Sequence, residues 1–211
     1  MMERSMVKQE RAARTRETLI RSAAEVFGRE GFSRASLTAI CARAGVSAGA
    51  LHFHFESKAA LADVVEAEAL SRLLAVIRTE FPAGVGHVQL LVDTTHRLAG
   101  ALCRDVVLRT GFSLERELPH PAGTDLRDHW RDWVEQELVQ AEAKGELRPG
   151  VAAQDVVTTV MAATVGLEVL GARDAHWLSE GTVSRIWRVL LPSVAPDSLL
   201  AQLDAGGAAP R

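Results

Sequence analysis

The chain has 211 residues, 47% hydrophobic and 24% charged, with 16 glycines, 7 prolines and 2 cysteines, so it holds one or two domains with a buried core and is neither disordered, collagen-like nor a disulfide scaffold. No apolar run reaches the ~18–20 residues of a membrane helix, and the charged N-terminus lacks an apolar signal region, so a soluble, cytoplasmic protein is expected. The formal net charge of −3 hides an asymmetry, since residues 1–58 hold ten Lys and Arg against six Asp and Glu and the remainder fourteen against twenty-one; a basic head on an acidic body fits a chain that meets a polyanion at one end.

Helical periodicity runs along nearly the whole sequence, without β-rich alternation or Asn-Gly and Asp-Gly hairpin turns. Arg4, Lys8, Arg11, Arg14 and Arg16 fall in the first sixteen residues, read as a mobile arm of the kind that contacts phosphates or enters a minor groove. A first helix is expected over about 11–30, with Leu19, Ile20, Ala23, Ala24 and Phe27 at helical spacing and Gly31 as its C-terminal cap. Ser36 caps a short second helix carrying Leu37, Ile40, Cys41 and Ala44, and Gly45 breaks it. Ser47 opens a third helix to about 55, and Ser57 caps a long fourth over about 58–78. After a break at 81–86, helices are expected over about 87–103 and 104–117, then a loop at 118–123 marked by Pro119, Pro121 and Gly123. Thr124 is the expected cap of a helix that Gly145 ends. The last two helices are read at about 153–171 and 180–191, the latter stopped by Pro192. The fold class is therefore all-α, with about nine helices.

Residues 37–55, LTAICARAGVSAGALHFHF, have the spacing of a helix-turn-helix. The small Cys41 stands where two helices would approach closely, and Gly45 stands where the turn needs a positive φ. Leu51 and Phe55, four apart, would pack inward together. Ala48, Gly49, His52 and Phe53 are then left outward, and an exposed Phe53 makes sense against a thymine methyl or the wall of a major groove. An ordinary helix pair with a partly exposed phenylalanine has the same spacing.

The stretch TAICARAGVSAGALHFHFESK, residues 38–58, with VFGREGFSRASL before it, resembles the DNA-binding signature of TetR-type transcriptional repressors over about residues 12–62. The resemblance implies a homodimer with an N-terminal helix-turn-helix domain of three helices, residues 1–57, followed by a larger helical domain, 58–211, for ligand binding and dimerisation. It implies that each subunit sets its third helix in the major groove of a double-stranded operator until a small-molecule effector releases it. Carried over by position, it assigns Ser36, Thr38 and Lys58 to the phosphate backbone, and Ala48, Gly49, His52, Phe53 and His54 to the recognition segment; Arg14 joins the set from the basic arm. Members of the family often carry lysine where Ala48 stands and tyrosine where His52 stands. The first difference removes a phosphate or guanine contact, and the second leaves a shorter donor whose charge depends on pH. Affinity should then rest more on the N-terminal arginines and Lys58.

Farther along, LCRDVVLRTGFSLERELPHP and the His129-Trp130 pair resemble the gamma-butyrolactone receptor branch of that family. The resemblance implies a pocket tryptophan after the central loop; Trp130 is the match, and Trp133, three residues on and near the same face, is the substitute. Each also reads as a core tryptophan. Val107, Leu108, Phe112, Val160, Met161 and Thr164 could line the same cavity or simply fill the core, and such a lining suits an apolar lactone or furan. The helices at about 153–171 and 180–191 would form the dimer bundle by the same resemblance. No cofactor, metal or catalytic residue is expected, because no nucleophile motif, phosphate loop or dinucleotide fingerprint occurs. Two other readings stay open: a protein of this fold that has lost strong DNA binding, and a small metal-dependent enzyme built on His120 and His129 beside Glu115, Glu117, Asp125 and Asp128.

Overall fold

The computed structural model describes residues 2–79, 84–118 and 125–207, with side chains from residue 9 onward. Among them are ten α-helices, one 3-10 turn and no strand. The helices are α1 (Met2–Glu30), α2 (Leu37–Ala44), α3 (Ala48–His54), α4 (Lys58–Ile77), α5 (His87–Arg104), α6 (Val106–Leu114), α7 (Leu126–Ala143), α8 (Ala153–Gly171), α9 (Glu180–Val194) and α10 (Asp197–Leu200); the 3-10 turn is Ala175–Leu178.

Two compact units emerge, one made of residues 1–71 with 106–120, the other of 72–105 with 121–211. Helix α4 begins at Lys58 and runs past Ser71, where the first segment of the first unit ends, and within that unit α6 returns to pack along α1. The Thr110 hydroxyl donates to the carbonyl of Ala24 at 2.9 Å. A Cβ at Gly28 would lie 2.9 Å from that same hydroxyl, so the glycine lets the helices approach. The Glu117 carboxylate, beyond the end of α6, accepts from the backbone N–H of Phe32 at 2.8 Å. The core of this unit joins Leu19, Ile20, Ala23 and Phe27 of α1 to Ile40, Leu51, Phe55, Leu61 and Val65.

The N-terminal segment is not a separate arm. Helix α1 starts at Met2, because residues 2–27 contain neither glycine nor proline to stop it. In the second unit α5 packs against α7, α8 and α9, and Leu91, Leu98, Trp130, Val134, Leu138, Val157, Val160, Val183 and Trp187 are buried. Asp125, not Thr124, caps α7, its carboxylate accepting from the N–H of Asp128 at 2.6 Å; Thr124 and most of the expected loop lie outside the described residues. Helix α9 continues through Pro192 to Val194. The proline removes one N–H in the last turn, but the bond from Ala195 N–H to the carbonyl of Leu191, at 2.9 Å, still closes behind it. One helix, α8, is long and apolar enough to cross a membrane by length and composition alone. It carries Asp155 and the buried Glu168, and one face of it packs on α7.

Candidate nucleic-acid interface and tryptophan cluster

The helix-turn-helix is built by local chemistry. The Ser36 side chain accepts from the N–H of Ala39 at 3.1 Å and so starts α2. Gly45, at φ 68°, ends it, and the N–H of Val46 returns to the carbonyl of Cys41 at 3.1 Å. Ser47 starts α3 two residues later by accepting from the N–H of Ala50 at 3.2 Å. Ile40, Cys41, Leu51 and Phe55 are all buried, which fixes the rotation of α3.

That rotation leaves Ala48, Gly49, His52 and Phe53 exposed, with Phe53 at 80%. So exposed a phenylalanine on a seven-residue helix contributes little to the fold. Its ring meets His54 edge-on, centroids 5.1 Å apart, and His54 is half-buried beneath it. A Cβ at Gly49 would meet only the Ser47 hydroxyl, at 3.9 Å, so packing does not require glycine there; the bare backbone leaves room for a close neighbour. Ser36 and Thr38 are exposed at the start of α2, and the Ser36 hydroxyl keeps its hydrogen for a further acceptor. Arg14 is exposed on α1. Arg16, two residues on, lies over the Phe55 ring at 5.7 Å, a link to α3 that sequence reading missed.

Lys58 is engaged within the fold. Its ammonium donates to the carbonyls of Phe32, Ala35 and Ser33 at 2.8, 3.0 and 3.3 Å, and lies 4.5 Å from the Phe32 ring centroid. All three N–H bonds are thereby used. In this arrangement the lysine braces the α1–α2 connection.

The eight expected ligand residues divide between the units. Val107, Leu108 and Phe112 are buried on α6, in the unit of α1. Trp130, Trp133, Val160, Met161 and Thr164 lie in the other, where α7 packs on α8. Trp130 is 2% exposed, and its indole N–H donates to the Thr164 hydroxyl at 3.0 Å. That hydroxyl donates onward to the carbonyl of Val160 at 2.9 Å. Trp130 therefore has no free donor. Trp133 stacks on it, centroids 5.1 Å apart and planes 23° apart, and stays half-buried, so Trp133 has the accessible ring. On the same helix pair Arg127 and the buried Glu168 form an ion pair at 2.6 Å.

The histidine-loop reading finds little support. His120 lies outside the described residues, Glu117 is occupied by the Phe32 amide, and no three His, Cys, Asp or Glu groups stand together among the described residues as metal ligands would.

Comparison with known proteins places these features. Residues 19–65 match the family model described as bacterial regulatory proteins, tetR family. The A-factor receptor protein of Streptomyces griseus is 31% identical over 211 residues, which covers 96% of this chain and 71% of that protein. The solved structure of CprB from S. coelicolor A3(2) superposes with a TM-score of 0.78 at 26% identity, covering 93% of this chain and 96% of that one. CprB in complex with its biological operator sequence gives 0.77 at 26% identity, covering 91% and 94%.

Proposed function

The chain belongs to the tetR family of bacterial regulatory proteins, on the branch of the gamma-butyrolactone receptors, and from that premise we propose that it is a ligand-responsive repressor that holds a palindromic operator as a homodimer. Residues 1–57 serve as the DNA-binding domain and 58–211 as the ligand-binding and dimerisation domain. The observation that carries the reading is the outward face of α3, with an 80% exposed Phe53 beside the exposed His52. His52 and Phe53 meet base edges in the major groove; Ala48 and Gly49 let the backbone come close; His54 supports the Phe53 ring. Ser36, Thr38 and Arg14 meet phosphates.

Two subunits associate through α8 and α9. Val169 and Leu170 of α8 and Val189 of α9, 39%, 38% and 73% exposed, support this, since these apolar side chains gain by being covered. The effector is a small apolar lactone or furan. It takes its place against Trp133, with Trp130 behind it and Val160, Met161 and Thr164 nearby. It releases DNA by favouring the dimer in which the two α3 helices no longer match successive grooves. A soluble, cytoplasmic location follows from that role.

One observation favours a second reading, a ligand-binding protein with weak DNA affinity: α3 carries no Lys or Arg, and Lys58 is already occupied. Titration of the full chain against DNA from its own upstream region, at several salt concentrations and with or without synthetic butyrolactones, separates the two. The repressor reading expects a specific complex, a falling log K with log salt, and release by a lactone. A complex no tighter than that with unrelated DNA would favour the second reading.

A further inference from the structure

A cavity opens on a face of α5 away from the tryptophan pair. Thr95, Ala99 and Leu102 of α5 close against Thr164 and Leu167 of α8 around a void of about 10 Å³, too small for a ligand. His96, Gly100 and Arg104 stand four residues apart, on a different face of the same helix. They line a cavity of about 540 Å³, together with Val76 near the end of α4 and Glu180 and Val183 at the start of α9. That volume lies within the roughly 300–1,000 Å³ of small-molecule sites. Every one of these residues belongs to the second unit, and none of the expected effector contacts is among them.

The lining sets apolar walls at Val76, Ala101, Leu178 and Val183 against polar groups at Thr79, His96, Arg97, Arg104, Ser179 and Glu180. Arg104 folds back along its own helix, and its guanidinium lies 3.1 Å from where a Cβ on Gly100 would stand. The last-turn position suits a cation, because the helix dipole is negative there, but the dipole does not require the fold over Gly100. Arg104 has no hydrogen-bond or ion-pair partner among the described residues. His96 is oriented by the C-terminal segment: its Nε2 donates to the carbonyl of Ala205 at 3.0 Å. Nδ1 is then a lone-pair acceptor, buried and unpartnered among the described residues. Gln89 holds the same segment in place, donating to the Asp204 carbonyl at 3.1 Å and accepting from its N–H at 2.8 Å. Glu180 stands in the first turn of α9, where the helix dipole favours a carboxylate.

We propose that this cavity is a second small-molecule site, selective for an amphipathic organic acid. The ligand's carboxylate pairs with Arg104, its apolar body lies against Val76 and Val183, and a hydroxyl on the ligand can satisfy His96 Nδ1. The site is separate from the effector cluster at Trp133 and does not depend on it.

Calorimetric titration of the full chain with octanoate, and with 1-octanol as the neutral counterpart, tests this. Wild type binds octanoate saturably, one per chain, more tightly than 1-octanol. Arg104→Met weakens octanoate by about tenfold or more, the weight of a charge-assisted hydrogen bond, and leaves 1-octanol unchanged. Arg104→Lys falls between the two. Gly100→Leu fills the cavity and removes both. Trp133→Ala leaves both as in wild type, which separates this site from the effector site. Arg104 is exposed, so Arg104→Met keeps its helicity by circular dichroism and a lost signal is not unfolding. The proposal is overturned if wild type shows no saturable octanoate binding in the millimolar range, if Arg104→Met binds octanoate as well as wild type does, or if Trp133→Ala abolishes binding.

Discussion

Replacing Lys58 by methionine sets a structural role against a DNA-contacting one. Methionine keeps the aliphatic length and removes the charge. The ammonium reaches three carbonyls, at 2.8, 3.0 and 3.3 Å, and the Phe32 ring at 4.5 Å. A hydrogen bond to a charged group contributes about 1.5–3 kcal/mol. The three bonds do not add, since they share one ammonium and the freed carbonyls of a half-exposed connection regain water. One such bond plus a cation–π contact of about 0.5–1 kcal/mol gives an expected loss of about 2–4 kcal/mol. Urea unfolding should show a lower midpoint with an unchanged slope. Operator titration, at salt concentrations where the variant is fully folded, should give the wild-type dependence of log K on log salt. A lysine that neutralised a phosphate would instead lower that slope by about 0.9. An unchanged urea midpoint with a shallower salt slope would refute the structural assignment.

Three further outcomes follow from the packing. Trp130→Phe loses the bond to Thr164 and part of a buried ring, and should cost about 1–2 kcal/mol in denaturant unfolding; combined with Thr164→Val it should cost less than the two single losses together, whereas strict additivity would mean that the pair does not interact. Gly171→Ala would drive a methyl into the Leu178 side chain, whose Cδ1 lies 2.7 Å from the new Cβ position, and should cost about 1–3 kcal/mol, with an unchanged melting temperature counting against that contact. Val189→Glu places a charge on a 73% exposed position of α9 and should leave helicity intact while turning dimers into monomers in light scattering; a variant that stays dimeric would move the interface elsewhere.

What was legible in the sequence was local. Ser36, Gly45 and Ser47 start and stop α2 and α3 through their own side chains and backbone, so a reading of caps finds them, and the inward pair Leu51 and Phe55 then fixes which way Phe53 points. What was not legible depends on residues far apart. The return of α6 onto α1 joins Thr110 to Ala24, 86 positions away, and the only local hint is the small Gly28. The charge of Lys58 suggested phosphate because nothing near it in sequence competes; its carbonyls arrive from 23 to 26 residues upstream. The hydrogen bond of Trp130 was not legible because its acceptor, Thr164, is on another helix. Pro192 misled for a different reason: in the last turn of a helix, proline removes one bond and the helix tolerates the loss.

The central claim, that the outer face of α3 reads base edges, is tested most directly by fluorescence anisotropy of the full chain on its own upstream DNA and on a scrambled duplex, with wild type, His52→Ala and Phe53→Ala. Both side chains are exposed, so both variants should unfold at the wild-type urea midpoint. Each should lose about tenfold in affinity for the upstream DNA, as a lost base contact of about 1–3 kcal/mol implies, and almost nothing on the scrambled duplex. Wild-type affinity for the upstream DNA in both variants would contradict the account.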